Sequence, residues 1–268
     1  MRFVLIHGGF HGAWCWNRVI PELDALGHDA IALDMPGHGE RVDVSAPTYV
    51  ERAKTILEIL QPGDVLVGHS GGGYDITMAA DAAPDKIGHL VYLAAGLPLE
   101  GKTIMESTGG AVERDAKTGE LRAVRLMNDE TGMLRFIRAD ARGRMIWQSE
   151  DGAREFFYHD CDPETVAWAF GKLTPTPVTD RAEVIRLTNF WDADLPRSYI
   201  LCLQDRSKPR WMSKQAWQRL GVEPLTIDAS HSPFLSRPRE LAALLVDATK
   251  LKPLGPLSPG PFVQGASQ

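Results

Sequence analysis

Ser70 stands in the frame Gly68-His69-Ser70-Gly71-Gly72, which fits a nucleophile on a sharp turn between a strand and a helix. Side chains at Gly68 and Gly72 would collide with the neighbouring strand and helix, and the turn holds the serine in a strained backbone conformation. A serine hydroxyl is a weak nucleophile until an imidazole takes its proton. The imidazole in turn needs a buried carboxylate to fix its tautomer. Candidates for both follow along the chain: Asp205 in Gln204-Asp205-Arg206, then His231 in Asp228-Ala229-Ser230-His231. Such a set performs acyl transfer through a covalent intermediate. The tetrahedral species on that path needs two backbone N–H donors, expected from Gly71 and from Gly9 in His7-Gly8-Gly9-Phe10. Glycine and serine are common residues, so the frame alone decides nothing and its surroundings must.

Those surroundings read as strands and helices in alternation. Apolar runs at Arg2 to Ile6, Asp29 to Leu33, Val65 to Val67, Ile87 to Ala95, Ser198 to Leu203 and Glu223 to Ile227 predict buried strands. Helical spacing fills the intervals. Trp14 to Leu26 carries it with Pro21 marking a kink or restart, and Thr48 to Leu60 has Thr48 as N-cap and Glu51 as capping-box partner. Further helices are expected from Ser70 to about Ala83, around Met212 to Leu220, and from Pro238 to Lys250. This rhythm predicts an α/β fold whose mostly parallel sheet, of about six strands, is covered by helices on both faces. Ser70, Asp205 and His231 each follow a predicted strand, on the side where such sheets place their sites. Asp205 is favoured as the acid because it directly follows a buried strand; Asp192, Asp194 and Asp228 are the alternatives.

From Leu99 to Leu195 the rhythm stops, and aromatics accumulate among polar turns. This reads as an inserted helical cap over the strand ends. The chain therefore divides into a core of residues 1–98 and 196–250, a cap of 99–195, and a Pro/Gly/Ser-rich tail of 251–268 expected to be mobile. Phe10, Trp147, Phe157 and Trp168 are the expected substrate contacts, suiting an apolar or aromatic ester.

A net charge of −6 without a Lys/Arg block argues against nucleic acid or an anionic membrane as partner. Cys15, Cys161 and Cys202 fit neither a zinc spacing nor a disulfide framework, so reduced thiols in a cytoplasmic, soluble protein are expected. No His, Asp and Glu grouping has metal-ligand spacing, and no phosphate loop follows a strand, so no cofactor is expected. The expected partner is a small-molecule ester; the oligomeric state is open, with a homodimer as one option.

With these residues in place the chain resembles the α/β-hydrolases of the plant methylesterase and hydroxynitrile lyase type, including their bacterial esterase relatives. The stretches F-V-L-I-H-G-G-F-H-G-A-W-C-W, A-L-D-M-P-G-H-G, V-L-V-G-H-S-G-G, L-C-L-Q-D-R and D-A-S-H-S-P-F carry the likeness. It implies the α/β-hydrolase fold, Ser70, Asp205 and His231 as triad, and Gly9 and Gly71 as oxyanion donors. It also implies a choice between hydrolysis, cyanohydrin cleavage and hormone binding with an idle triad. The plant lyases place a lysine directly after the catalytic histidine and a threonine after the first strand's histidine. Ser232 and Gly8 stand at those positions here, which favours ester hydrolysis.

Overall fold

The computed structural model describes residues 1–45, 48–118, 121–125, 129–178 and 183–260. Four strands, β1 (Arg2–Ile6), β2 (Asp29–Leu33), β3 (Asp64–His69) and β4 (Ile87–Leu93), precede the insertion. The insertion holds β5 (Ala111–Arg114), β6 (Leu121–Arg125), β7 (Ile137–Ala139) and β8 (Met145–Trp147), and β9 (Arg197–Cys202) and β10 (Leu225–Ile227) follow it. The helices are α1 (Ile20–Ala25), α2 (Tyr49–Leu57), α3 (Gly72–Ala82), α4 (Ile104–Ser107), α5 (Glu150–Ala153), α6 (Pro163–Lys172), α7 (Arg210–Arg219), α8 (Pro233–Ser236) and α9 (Pro238–Ala248).

Six strands form one sheet in the order β10-β9-β4-β3-β1-β2, every neighbouring pair parallel. Their side chains alternate between two apolar layers, as a strand buried on both faces requires. Phe3, Leu5, Val65, Val67, Val91 and Ile200 pack on one side with Leu23, Leu241 and Leu245 from α1 and α9. Val4, Ile6, Leu66, Leu90 and Tyr199 pack on the other with Ile56, Ile76 and Ala216 from α2, α3 and α7. The expected parallel α/β sheet is therefore the fold. Pro21 marks a restart, since a 3₁₀ turn at Ala13–Trp16 precedes α1. Thr48 Oγ1 accepts from Glu51 N (3.1 Å), the N-cap bond that the sequence predicts.

Two expectations need correction. The insertion is not helical throughout: β5 pairs with β6 and β7 with β8 as antiparallel hairpins beside short helices. Residues 251–260 are not a loose tail either, while 261–268 lie outside the described residues. Buried Arg197 donates to Gly255 O (2.6 Å), and buried Arg219 donates to Ser258 O and Pro259 O (both 3.0 Å). Leu254 N donates to Gly221 O (2.7 Å), and Leu257 is buried. Two guanidinium groups without a carboxylate partner in these contacts need carbonyl oxygens, and this segment of prolines and glycines supplies three of them. Ending the chain at Lys250 should therefore destabilise the core by about 3 kcal/mol or more, lowering Tm by about 6–12 °C. Thermal unfolding followed by circular dichroism checks this; an unchanged Tm would contradict the docking.

Candidate active site

β3 is buried along its whole length and ends at His69, so the chain delivers Ser70 at the carboxyl edge of the sheet. Ser70 has φ +51°, the left-handed region that non-glycine residues rarely adopt. Its backbone is clamped there. Ser70 N donates to Leu93 O (3.0 Å), while Ser70 O accepts from Gly73 N (3.2 Å) and Gly96 N (3.0 Å). A Cβ on Gly68 would lie 2.6 Å from Gly72 O, and one on Gly72 would lie 2.7 Å from His7 O. The turn can be this tight only with glycine at both places.

Asp205 and His231 meet although 26 residues separate them. They follow β9 and β10, adjacent parallel strands whose ends lie side by side. His231 Nδ1–H donates to Asp205 Oδ2 (2.8 Å), and both side chains are almost fully shielded from solvent. Asp205 Oδ1 accepts from Ser207 N (2.8 Å) and Lys208 N (3.1 Å), which fixes the carboxylate's orientation. Of the four carboxylates considered as the acid, Asp205 is the one that touches His231; Asp228 instead accepts from Gln204 Nε2 (2.7 Å). The His231 backbone is held from the side of Ser70, since His69 Nε2–H donates to His231 O (2.8 Å). No hydrogen bond joins Ser70 Oγ to His231 in this structure; such bonds often form or tighten only with substrate in place.

Gly9, Ser70 and Gly71 are partly accessible although most of the residues around them are buried. The Gly9 N–H and the Gly71 N–H have no acceptor among the described residues. The two backbones face each other, since a Cβ on Gly71 would stand 3.6 Å from Gly9 N. His11 Nδ1–H donates to Gly9 O (2.9 Å), and Tyr158 Oη–H donates to His11 Nε2 (2.7 Å). Phe10, at φ +68°, is tied to the insertion by its N–H on Thr176 Oγ1 (2.6 Å). Burial pushes His7 down to about 4, His11 to about 3 and His69 well below the usual histidine value. These three imidazoles stay neutral at pH 7 and serve as hydrogen-bonding scaffolding.

Residues 3–244 match the sequence model of the Alpha/beta hydrolase family. The chain belongs to that family. It is 31% identical over 264 residues to Esterase PIR7B of Oryza sativa subsp. japonica, covering 91% of this chain and 94% of that protein. It is 29% identical over 259 residues to Methylesterase 2 of Arabidopsis thaliana, covering 90% and 93%. Among solved structures, a pyrethroid hydrolase from Sphingobium faniae JZ-2 superposes with a TM-score of 0.75 at 25% identity, over 93% of this chain and 97% of that one.

In this α/β-hydrolase a cavity of about 120 Å³ opens on Gly9, Ser70 and Gly71. It is comparable with the ~150 Å³ cavity that accommodates benzene, so it has room for one aryl-sized group. Phe10 and Phe157 line it, and Phe157 also stacks on His231 with ring centroids 5.4 Å apart. Trp147 stands behind them, 4.9 Å from Phe157 and 5.8 Å from Phe10, and is not part of the wall. Trp168 is corrected outright: it is 40% exposed and lies edge-on to Trp14, away from the cavity. Tyr74, Ile104, Met133, Met145, Lys208 and Met212 complete much of the wall without having been singled out in the sequence. A Cβ on Gly8 would meet Ser70 Cβ at 2.7 Å, so a larger residue there would crowd the serine. Ser232 Oγ is buried without a partner among the described residues and does not line the cavity. No group of three or more metal-binding side chains occurs among the described residues, and no described helix is long and apolar enough to cross a membrane.

Proposed function

We propose that this protein hydrolyses carboxylic esters through an acyl-enzyme on Ser70. That it is an esterase-type α/β-hydrolase follows from its family and from relatives that are named esterases over nearly their whole length. What supports the residue roles most is the 2.8 Å contact of His231 Nδ1 with Asp205 Oδ2 beside a serine held at φ +51°. With its proton fixed on Nδ1, His231 has Nε2 free to accept the Ser70 proton as Oγ attacks the ester carbonyl. Negative charge then grows on the carbonyl oxygen, and the N–H groups of Gly9 and Gly71 are the donors that receive it. His231 passes its proton to the departing alkoxide. A water, deprotonated by the same imidazole, then attacks the acyl-Ser70 ester and releases the acid. The aromatic and aliphatic wall suits an ester with an apolar body, of which an aryl-sized part fits the cavity.

One experiment separates this reading from its two rivals. Purified protein should turn over para-nitrophenyl acetate or butyrate and be labelled on Ser70 by a fluorophosphonate. With mandelonitrile it should release no cyanide above the uncatalysed rate. Expelled cyanide needs a cation in a low-dielectric site, and the residue after His231 is the uncharged Ser232. Cyanide release that disappears in Ser70→Ala would make it a lyase, and ligand binding without labelling or turnover would make it a receptor.

A further inference from the structure

Lys208 is the one lysine, arginine, aspartate or glutamate among the described residues lining the cavity. It starts from the loop that carries Asp205, where Lys208 N donates to Asp205 Oδ1. Its ammonium donates to Ala95 O and lies 3.4 Å from Tyr199 Oη. Ala94 and Gly96, on either side of that carbonyl, both line the cavity, and Gly96 N donates to Ser70 O (3.0 Å). The ammonium is thus anchored in the same stretch of wall as Ser70.

Hydrolysis of a plain apolar ester gives this cation nothing to do. An ammonium has three N–H donors. Ala95 O and Tyr199 Oη take two, and no carboxylate among the described residues pairs with it. Tyr199 Oη itself donates to Ala95 O (3.1 Å), so toward the lysine it can only accept. The same cavity is lined by Ile104, Met133, Met145, Phe157 and Met212. Burial pushes Lys208 down to about 7 against the pull of Asp205, the mark of a charge short of compensation. A carboxylate oxygen placed against the third N–H would make a charge-assisted hydrogen bond in a water-poor site.

We propose that Lys208 is a specificity-determining residue that binds a carboxylate on the substrate, so that the preferred substrates are half-esters carrying one ester and one free carboxylate. This rests on the esterase reading of the same site and names its substrate class. Lys208 takes no part in bond making. It selects which esters reach Ser70 with the carbonyl in place, so its contribution falls on KM more than on kcat.

The test compares mono-para-nitrophenyl esters of glutaric, adipic, pimelic and suberic acids with neutral partners in which an isopropyl group replaces the terminal carboxylate. The series covers the reach from Ser70 to the ammonium. Wild-type protein should favour at least one half-ester over its neutral partner in kcat/KM. In K208M, where length is kept and charge removed, that ratio should fall about tenfold to a hundredfold, the size of a lost charge-assisted hydrogen bond. K208R should keep most of it. Absence of any half-ester preference in the wild type, or its survival in K208M, would overturn the proposal. The wild-type comparison stands whether or not K208M folds. If neither the half-esters nor their neutral partners are cleaved, the esterase reading itself has failed. Calorimetric binding of the four free dicarboxylates to wild type and K208M then decides the role of Lys208 without turnover: weaker binding in K208M supports it, and equal binding overturns it.

Discussion

Replacing Ser70 with alanine should leave a folded protein whose kcat on a para-nitrophenyl ester is about a millionfold lower. The effect is large because the nucleophile, its base and the orienting acid act as one unit. On the proposed mechanism, removing any member leaves only substrate binding and the N–H donors of Gly9 and Gly71. Folding should be indifferent to the change. Ser70 Oγ makes no hydrogen bond among the described residues, and the turn is held by backbone contacts to Leu93, Gly73 and Gly96 that alanine retains. Alanine also suffers the same backbone penalty at φ +51°, so Tm should stay within about 2 °C. Ser70→Gly sharpens the point, since it removes that penalty: it should be equally inactive yet more stable by about 1 kcal/mol. His231→Ala combined with Ser70→Ala should add little further loss. A purified Ser70→Ala protein keeping more than about a tenth of wild-type turnover would place the nucleophile elsewhere.

The sheet and the neighbourhood of Ser70 were legible because the same local chemistry fixes both. A buried parallel strand is a short unbroken apolar run, and Val65–Val67 is one. The elbow is written in glycines whose absence of a side chain is a steric necessity at Gly68 and Gly72. The meeting of Asp205 and His231 at this end of the sheet could be placed because parallel topology brings strand ends together, whatever the intervening length. Side-chain direction within the insertion was not legible. Trp168 is aromatic and in the cap, but α6 turns Thr165, Val166 and Ala169 inward and leaves Trp168 off that face. Counting helical positions from those residues would have shown it. Lys208 offered no such cue, because a lysine three residues past an aspartate is solvated in most loops; only the Ala95 carbonyl and Tyr199 hydroxyl draw it inward. The segment 251–260 has the composition of a loose tail. Its role is set by two buried arginines, Arg197 and Arg219, whose need for acceptors cannot be read from the segment itself.

Asp205→Asn should lower kcat/KM by about ten-thousandfold while the protein folds normally. The amide is the same size as the carboxylate, and its oxygen can keep accepting from Ser207 N and Lys208 N, the two contacts that shape this loop. That arrangement turns the NH₂ group toward His231 Nδ1. An NH₂ donates where the carboxylate accepted, so Nδ1 must become the acceptor and the imidazole proton moves to Nε2. Nε2 then cannot take the Ser70 proton, and the imidazolium that forms during attack loses its counter-charge as well. The loss should appear in kcat, because none of these groups is needed to fill the apolar wall. Asp160 provides the comparison. Like Asp228 it lies at this loop, accepting from Ser230 N (3.0 Å), one residue before His231, with no contact to the imidazole. Asp160→Asn keeps an acceptor for Ser230 N and should cost less than about tenfold. Steady-state kinetics on one aryl ester, with circular dichroism of each variant, decides between them. A near-normal Asp205→Asn rate would move the acid away from Asp205, and a collapse confined to Asp160→Asn would move it to Asp160.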